Sequence, residues 1–259
     1  MKIRYLWLIA LLFFTSCQSE KNTLKVAATP LPHADLLEVI RPDLEKEGIK
    51  LTVVEVDDYS LPNRLLAEKQ VDANFFQHQP FLDEYNRQFG THLVPLTRVH
   101  IEPMGIYSKK ISSIGEVPIG ATVAIPSDPT NSARALHLLA QADLITLKPG
   151  KNETLVTPFD IETNRKKLKI REVDAPFLPR ALPDVDLALI PANFAIEAKL
   201  NPLQDALLLE ESSRYANIVA IREGEENRES LQKLKEALQS EKLHQYIVET
   251  YKGAILPAS

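Results

Sequence analysis

The sequence predicts an α/β protein of two lobes, and three observations carry that expectation. Strand-like and helix-like segments alternate over residues 24–89, the order that builds a sheet flanked by helices. A second alternating set runs over residues 122–200, and a strand and two helices close the chain. No Pro/Gly/Ser-rich linker separates the sets; two strand-like segments, 102–108 and 215–221, can instead carry the chain between lobes. Two crossings make the first lobe discontinuous, drawn from both ends of the chain.

Each element has its own reason. Residues 24–29 (LKVAAT) read as a strand. In residues 33–47, Leu36, Leu37, Ile40 and Leu44 recur at helical spacing, and Gly48 is a stop. Residues 49–56 alternate Ile49, Leu51 and Val53 and are rich in β-branched side chains, which predicts a strand. Residues 61–69 form a short helix with Leu61, Leu65 and Leu66 on one face, 72–75 a strand and 80–89 a helix. In the second set, 122–125 is a strand, and 131–142 a helix with Ala135, Leu138, Leu139 and Ala142 inward. Residues 168–173 and 185–190 are strands, and 192–200 a helix. Residues 216–221 (ANIVAI) are a strand, and 228–239 and 242–251 amphipathic helices. The sheets implied by this alternation are largely parallel. The basic cluster Arg165, Lys166, Lys167, Lys169 and Arg171 reads as a solvated face.

Composition narrows the function. With 259 residues, 44% of them hydrophobic, the chain can bury a sizeable core. Its net charge of −5 argues against a nucleic-acid binder, which needs a basic face. There is no GxGxxG or GxxxxGK[ST] loop to cradle phosphates. The single cysteine excludes an intramolecular disulfide and any multi-cysteine metal site. No GxSxG or HExxH run supports catalysis, and no cofactor or metal is expected. The six histidines leave one alternative open, a metal-binding receptor in which several converge in space.

The N-terminus reads as an address. Lys2 and Arg4 precede an apolar run of ten (YLWLIALLFF, residues 5–14), too short for a membrane span of about 20 residues. Thr15, Ser16 and the lone Cys17 follow, which resembles a bacterial lipobox, with Phe14 in place of the usual Leu. The expectation is a signal peptide over 1–16, lipidation of Cys17 and a short tether over 17–23. The folded part then works outside the cytoplasm, on the cell membrane or outer membrane, held by lipid chains.

Four places could carry a ligand. In Phe75-Phe76-Gln77-His78-Gln79-Pro80-Phe81, three aromatics, a histidine and two amides meet where a strand turns into a helix. Apolar walls with a few convergent polar groups suit a small amphipathic ligand. In the run from Ser127 to Arg134, Asp128 or Thr130 can cap a helix and leave backbone N–H groups pointing outward, with Arg134 one turn in. A helix N-terminus plus a guanidinium fork is a carboxylate or phosphate receptor. An arginine facing an open cleft adds little to a core, so this one is expected to be dispensable for folding. The segment Asp57 to Asn63 is a polar turn with one aromatic, Tyr59. Asn217 interrupts an apolar strand, and a buried amide there needs partners.

The chain resembles the NlpA-type methionine-binding lipoproteins, the substrate-binding components of bacterial methionine ABC importers. The resemblance rests on Asp58-Tyr59-Ser60-Leu61-Pro62-Asn63, on the run from Asp72 to Asp83 (DANFFQHQPFLD), on Gly105 to Ile111 (GIYSKKI), on Pro126 to Asn131 (PSDPTN) and on Ala175 to Arg180 (APFLPR). It implies a two-lobed periplasmic-binding-protein fold, with lobe 1 over 24–105 and 219–259 and lobe 2 over 106–218. It implies no enzyme but a binder of L-methionine that hands its ligand to a permease and ATPase complex. Carried over by motif, Tyr59, Phe76, His78 and Phe81 line one side of the cleft. Asn131 and Arg134 come from the other lobe, Arg134 taking the carboxylate, and Asn217 holds the backbone of the ligand. Two positions depart from the family pattern: Phe81 replaces a tyrosine and Pro191 an asparagine. Each removes a polar group, which leaves a methionine-containing dipeptide as an alternative ligand.

Overall fold

The computed structural model describes residues 22–211 and 214–258. The expected signal peptide, Cys17 and most of the tether lie outside the described residues. From the start run β1 (Thr23–Ala28), α1 (Asp35–Lys46), β2 (Lys50–Glu55), α2 (Leu61–Ala67), β3 (Ala73–His78), α3 (Gln79–Phe89) and β4 (Leu93–Ile101). The middle holds β5 (Gly105–Tyr107), β6 (Thr122–Pro126), α4 (Pro129–Gln141), β7 (Thr146–Leu147), β8 (Ile161–Thr163) and β9 (Lys169–Val173). It continues with α5 (Leu178–Ala181), β10 (Leu187–Ile190), α6 (Ala192–Glu197), α7 (Pro202–Asp205) and β11 (Ala206–Leu209). The chain closes with β12 (Ala216–Arg222), α8 (Glu229–Leu238), α9 (Glu241–Tyr251) and β13 (Leu256–Pro257).

Two sheets define two lobes. Lobe 1 has strand order β13-β4-β12-β3-β1-β2, and lobe 2 has β11-β5-β10-β6-β9. The residues that set the helical spacing are the ones that pack: Leu36, Leu37, Ile40 and Leu44 of α1 join Leu24, Val26 and Phe75 in the lobe 1 core. Ala135, Leu138 and Leu139 of α4 do the same for lobe 2, against Val123, Ile125, Leu187 and Leu189. Burying one such aliphatic side chain stabilises by about 1.5–3 kcal/mol, so each lobe holds itself together.

Two expectations are corrected. The sheets are mixed rather than largely parallel: β1 runs parallel to β2 and β3, but β12 is antiparallel to β3 and β4. In lobe 2, β6 runs parallel to β9 and β10, while β5 is antiparallel to β10 and β11. The reason is the crossings: a strand that has just changed lobes enters its sheet without a helical crossover, so it need not run parallel. The crossings also fall earlier than expected. Gly105 already belongs to the lobe 2 sheet and Ala216 to the lobe 1 sheet, so the chain leaves lobe 1 over 102–104 and is back in it by Ala216.

β4 has no counterpart among the expected elements. Its sequence, LVPLTRVHI, carries Pro95, which cannot donate to a ladder and argues against a central strand. The fold accommodates it at an irregularity: the β4–β12 register shifts between Val219 and Ala220, where Ala220 faces Pro95.

Candidate functional site

The two lobes meet over a nearly closed cavity lined by Tyr59, Phe76, Gln77, His78, Phe81, Glu102, Asn131, Arg134, Pro191 and Asn217. All seven residues expected in a ligand site are among them. So are both positions of departure, Phe81 and Pro191.

Lobe 1 presents the apolar wall. At the end of β3, His78 caps α3: its Nδ1 accepts the Phe81 N–H at 3.2 Å. That cap turns the backbone so that Phe76 and Phe81 stand edge to face with ring centroids 5.5 Å apart. Tyr59 lies 5.8 Å from Phe76 and 6.0 Å from Phe81, and Phe194 of lobe 2 closes the box at 5.0 Å from Tyr59. Such rings suit a thioether or another soft apolar group. The amides of the same motif are structural: Gln77 Nε2 donates to Asn63 Oδ1 at 2.7 Å and to Asn74 Oδ1 at 2.9 Å, while Asn63 Nδ2 donates back to Gln77 Oε1 at 2.8 Å. This buried triangle ties α2 to β3.

Two hydrogen bonds latch the lobes across the cavity. Tyr59 Oη donates to Asn193 Oδ1 at 2.7 Å, and His78 Nε2 donates to Asn131 Oδ1 at 3.0 Å. With Nδ1 already accepting, His78 is fixed as the neutral Nε2–H tautomer. Burial first, and then the Arg134 charge, lower its pKa to about 3.

Lobe 2 presents Arg134, and here two expectations change. The N-terminus of α4 is closed rather than open: Asp128 accepts the Asn131 N–H at 2.9 Å and the Asn131 amide at 3.1 Å. Its own negative charge occupies the place expected for a ligand anion. Nor is Arg134 a loosely held side chain at an open mouth. It is 3% exposed, its Nε donates to Glu210 Oε2 at 2.8 Å, and its Nη2 donates to Glu210 Oε2 and the Glu102 carbonyl at 2.5 Å each. The guanidinium lies 4.5 Å over the Tyr215 ring, a cation–π contact. Nη1 has no protein partner among the described residues, so one edge of the guanidinium remains for a ligand.

Glu102, Asn193, Phe194, Glu210 and Tyr215 are absent from the sequence-based site. Glu102 and Glu210 read as ordinary acids, and only their position at the two crossings separates them from the other carboxylates. Among the described residues, His33, His100 and Glu102 form a tight buried group whose nitrogen and oxygen atoms lie within 4.8 Å of one another. This is where part of the histidine set converges. Hydrogen bonds tie its members: His100 Nε2 donates to Glu102 Oε1 at 2.6 Å, and His33 Nδ1 pairs with the Thr29 hydroxyl at 2.7 Å. Asn217 joins it, its Oδ1 lying 3.4 Å from His33 Nε2.

One half-buried carboxyl belongs to the lobe contact rather than the cavity. Ile196 of α6 packs on the lobe 1 core, and the next residue, Glu197, has a buried Oε1 with no partner among the described residues. Burial, with Asp57 and Glu102 adding, raises Glu197 from 4.5 to about 7, against the opposing Leu31 N–H. A raised carboxyl is protonated in the folded protein where the unfolded chain is already ionised. Stability is therefore fully present below about pH 4.5 and is lost as pH rises toward 7. Glu197→Gln is expected to raise the melting temperature at about pH 8 and to leave it unchanged near pH 4. Thermal melts at the two pH values check this, and an equal shift at both contradicts it.

The chain is similar to known proteins over most of its length. The family described as NlpA lipoprotein matches residues 24–259. The methionine-binding lipoprotein MetQ of Bacillus subtilis is 38% identical over 247 residues, covering 93% of this chain and 90% of that protein. The D-methionine-binding lipoprotein MetQ of Escherichia coli K12 is 37% identical over 253 residues, covering 95% and 93%. A nutrient-binding protein from Burkholderia cenocepacia, solved bound to methionine, superposes with a TM-score of 0.88 at 40% identity, over 91% of this chain and all of that one. With the family matched over nearly the whole described chain, the protein belongs to the NlpA lipoproteins.

Proposed function

We propose that this protein is a membrane-anchored solute-binding lipoprotein that closes on L-methionine between its lobes and delivers it to an ABC importer. The observation that carries the reading is the pairing of one free guanidinium edge, on buried Arg134, with an aromatic box at the other wall of the same cavity. A small ligand with a carboxylate at one end and a thioether at the other satisfies both. The methionine bound to the Burkholderia relative and the names of the MetQ relatives support the same choice.

The site binds rather than transforms. Tyr59 and His78, the side chains best placed to move a proton, are both spent on the latches between lobes. Burial pushes the Tyr59 phenol well above its usual range, which further removes it from acid–base work at neutral pH.

Anchoring is proposed through Cys17, with the folded lobes facing the periplasm or the cell exterior. No helix among the described residues is long and apolar enough to cross a membrane. The permease and ATPase that would receive the ligand are proposed on the family's role, a Coxiella burnetii structure at 42% identity being described as an ABC transporter substrate-binding protein.

Calorimetric titration tests the ligand. L-Methionine should bind tightly, and methionine amide, which lacks the carboxylate, far more weakly. A methionine-containing dipeptide that outcompetes free methionine would replace the ligand while keeping the site. Equal affinity for acid and amide would remove Arg134 from its role.

A further inference from the structure

The cleft holds a second buried carboxylate besides the one paired with Arg134. Arg134 is neutralised by Glu210. Glu102, 4% exposed at the first crossing, is a second carboxylate on the cavity wall. The groups that face it are His33 and His100 from lobe 1, and Arg134 and Asn193 from lobe 2. His33 does not supply a positive charge. His33 accepts the Thr29 hydroxyl at Nδ1 and is held neutral by burial, its pKa lowered to about 4. His100 donates from Nε2, and its buried Nδ1 has no partner among the described residues.

Burial alone would raise the Glu102 carboxyl. The adjacent His33 imidazole, the hydrogen bond from His100 and the Arg134 guanidinium favour the ionised form and hold the group below its usual range. Glu102 Oε1 accepts from His100 Nε2 at 2.6 Å and lies 3.2 Å from His33 Nε2. Oε2 accepts the Asn193 N–H at 3.2 Å. An ionised carboxylate has about four acceptor positions, so one is left for a donor that is not part of the protein. The imidazoles are held in turn by Phe75, whose ring meets His33 at 4.6 Å and His100 at 5.3 Å, both edge to face.

Resting on the binding reading above, we propose that Glu102 is the receptor for the ligand's α-ammonium group, and that His33 and His100 are positioning residues that present it. The ligand is then gripped at both charged ends from different elements: the carboxylate by Arg134 of α4, the ammonium by Glu102 at the crossing. Closure brings the two together, because Asn193 of lobe 2 and the histidines of lobe 1 hold the same carboxylate. The assignment makes the cleft selective for free amino acids over carboxylic acids of the same side chain.

The test compares L-methionine with its desamino analogue, 4-(methylthio)butanoate, by calorimetry on wild type, Glu102→Gln and His100→Gln, with thermal melts and metal analysis of each protein. Wild type should prefer methionine. Glu102→Gln keeps the shape and removes the charge; it should weaken methionine by roughly 30-fold or more while leaving the analogue nearly unchanged. His100→Gln should erode the preference by about tenfold, again through methionine alone, which a general loosening of the fold would not do. Should Glu102→Gln fail to fold, the His100 variant carries the test. Equal weakening of both ligands, or an unaltered preference in the folded variants, overturns the proposal and leaves methionine binding intact. One equivalent of a transition metal in the wild type, lost in His100→Gln, would overturn it in favour of a His₂Glu metal centre. A wild type that binds neither ligand would overturn the binding reading itself.

Discussion

Arg134→Ala is expected to weaken L-methionine binding by about 2–5 kcal/mol, roughly 30- to several-thousand-fold. In a closed, water-poor cleft the ligand carboxylate loses its only guanidinium and keeps most of its desolvation cost. The same substitution should also destabilise the protein by about 3–5 kcal/mol, because it strands Glu210 as a buried unpaired carboxylate. The two effects separate in the double variant Arg134→Ala/Glu210→Gln. Removing both partners should restore much of the stability, since no charge is left uncompensated, and none of the affinity. Arg134→Lys should recover only part of either, because an ammonium cannot serve Glu210, the Glu102 carbonyl and a ligand in three fixed directions. Calorimetry and thermal melts on the four proteins check both halves. Wild-type affinity in a folded Arg134→Ala protein would move the carboxylate site elsewhere.

Phe75→Ala carries the second large effect. Phe75 is fully buried in the lobe 1 core, among Leu24, Val26, Leu36 and Val219. Truncating it removes the transfer free energy of a phenyl ring and leaves a cavity that rigid strands on both sides cannot fill, at about 3–5 kcal/mol. Its ring also braces His33 and His100. Loss of stability should therefore come with a loss of affinity at temperatures where the variant is still folded. Phe75→Leu should recover most of the stability and less of the affinity, since an aliphatic side chain fills the space but offers no ring for the two imidazoles. Denaturant unfolding and titration of both variants measure the two losses. Full affinity in folded Phe75→Ala would detach the histidines from binding.

Much of the site was legible because its residues are chemically conspicuous in sequence. Three aromatics and a histidine packed into the seven positions from Phe75 to Phe81 stand out as a cavity wall. Of the two candidate caps, Asp128 and Thr130, it is Asp128 that accepts the Asn131 N–H. What the spacing could not convey is that Arg134 is already half engaged. That depends on Glu210, 76 residues away, folding back through the second crossing. Glu102 was hidden for the same reason: its partners His33 and Asn193 come from opposite lobes. β4 was hidden by Pro95, a local signal that the β12 register shift overrides. The helices were the most legible elements, because their apolar periodicity is local and each lobe core uses it directly.

Native mass spectrometry of the protein purified without added ligand tests the central claim most directly. The account predicts a fraction of molecules carrying one methionine mass, displaced by excess isotopically labelled L-methionine and absent from Arg134→Ala. A wild type that carries a metal ion, or that takes up no labelled methionine when it is supplied, would contradict it.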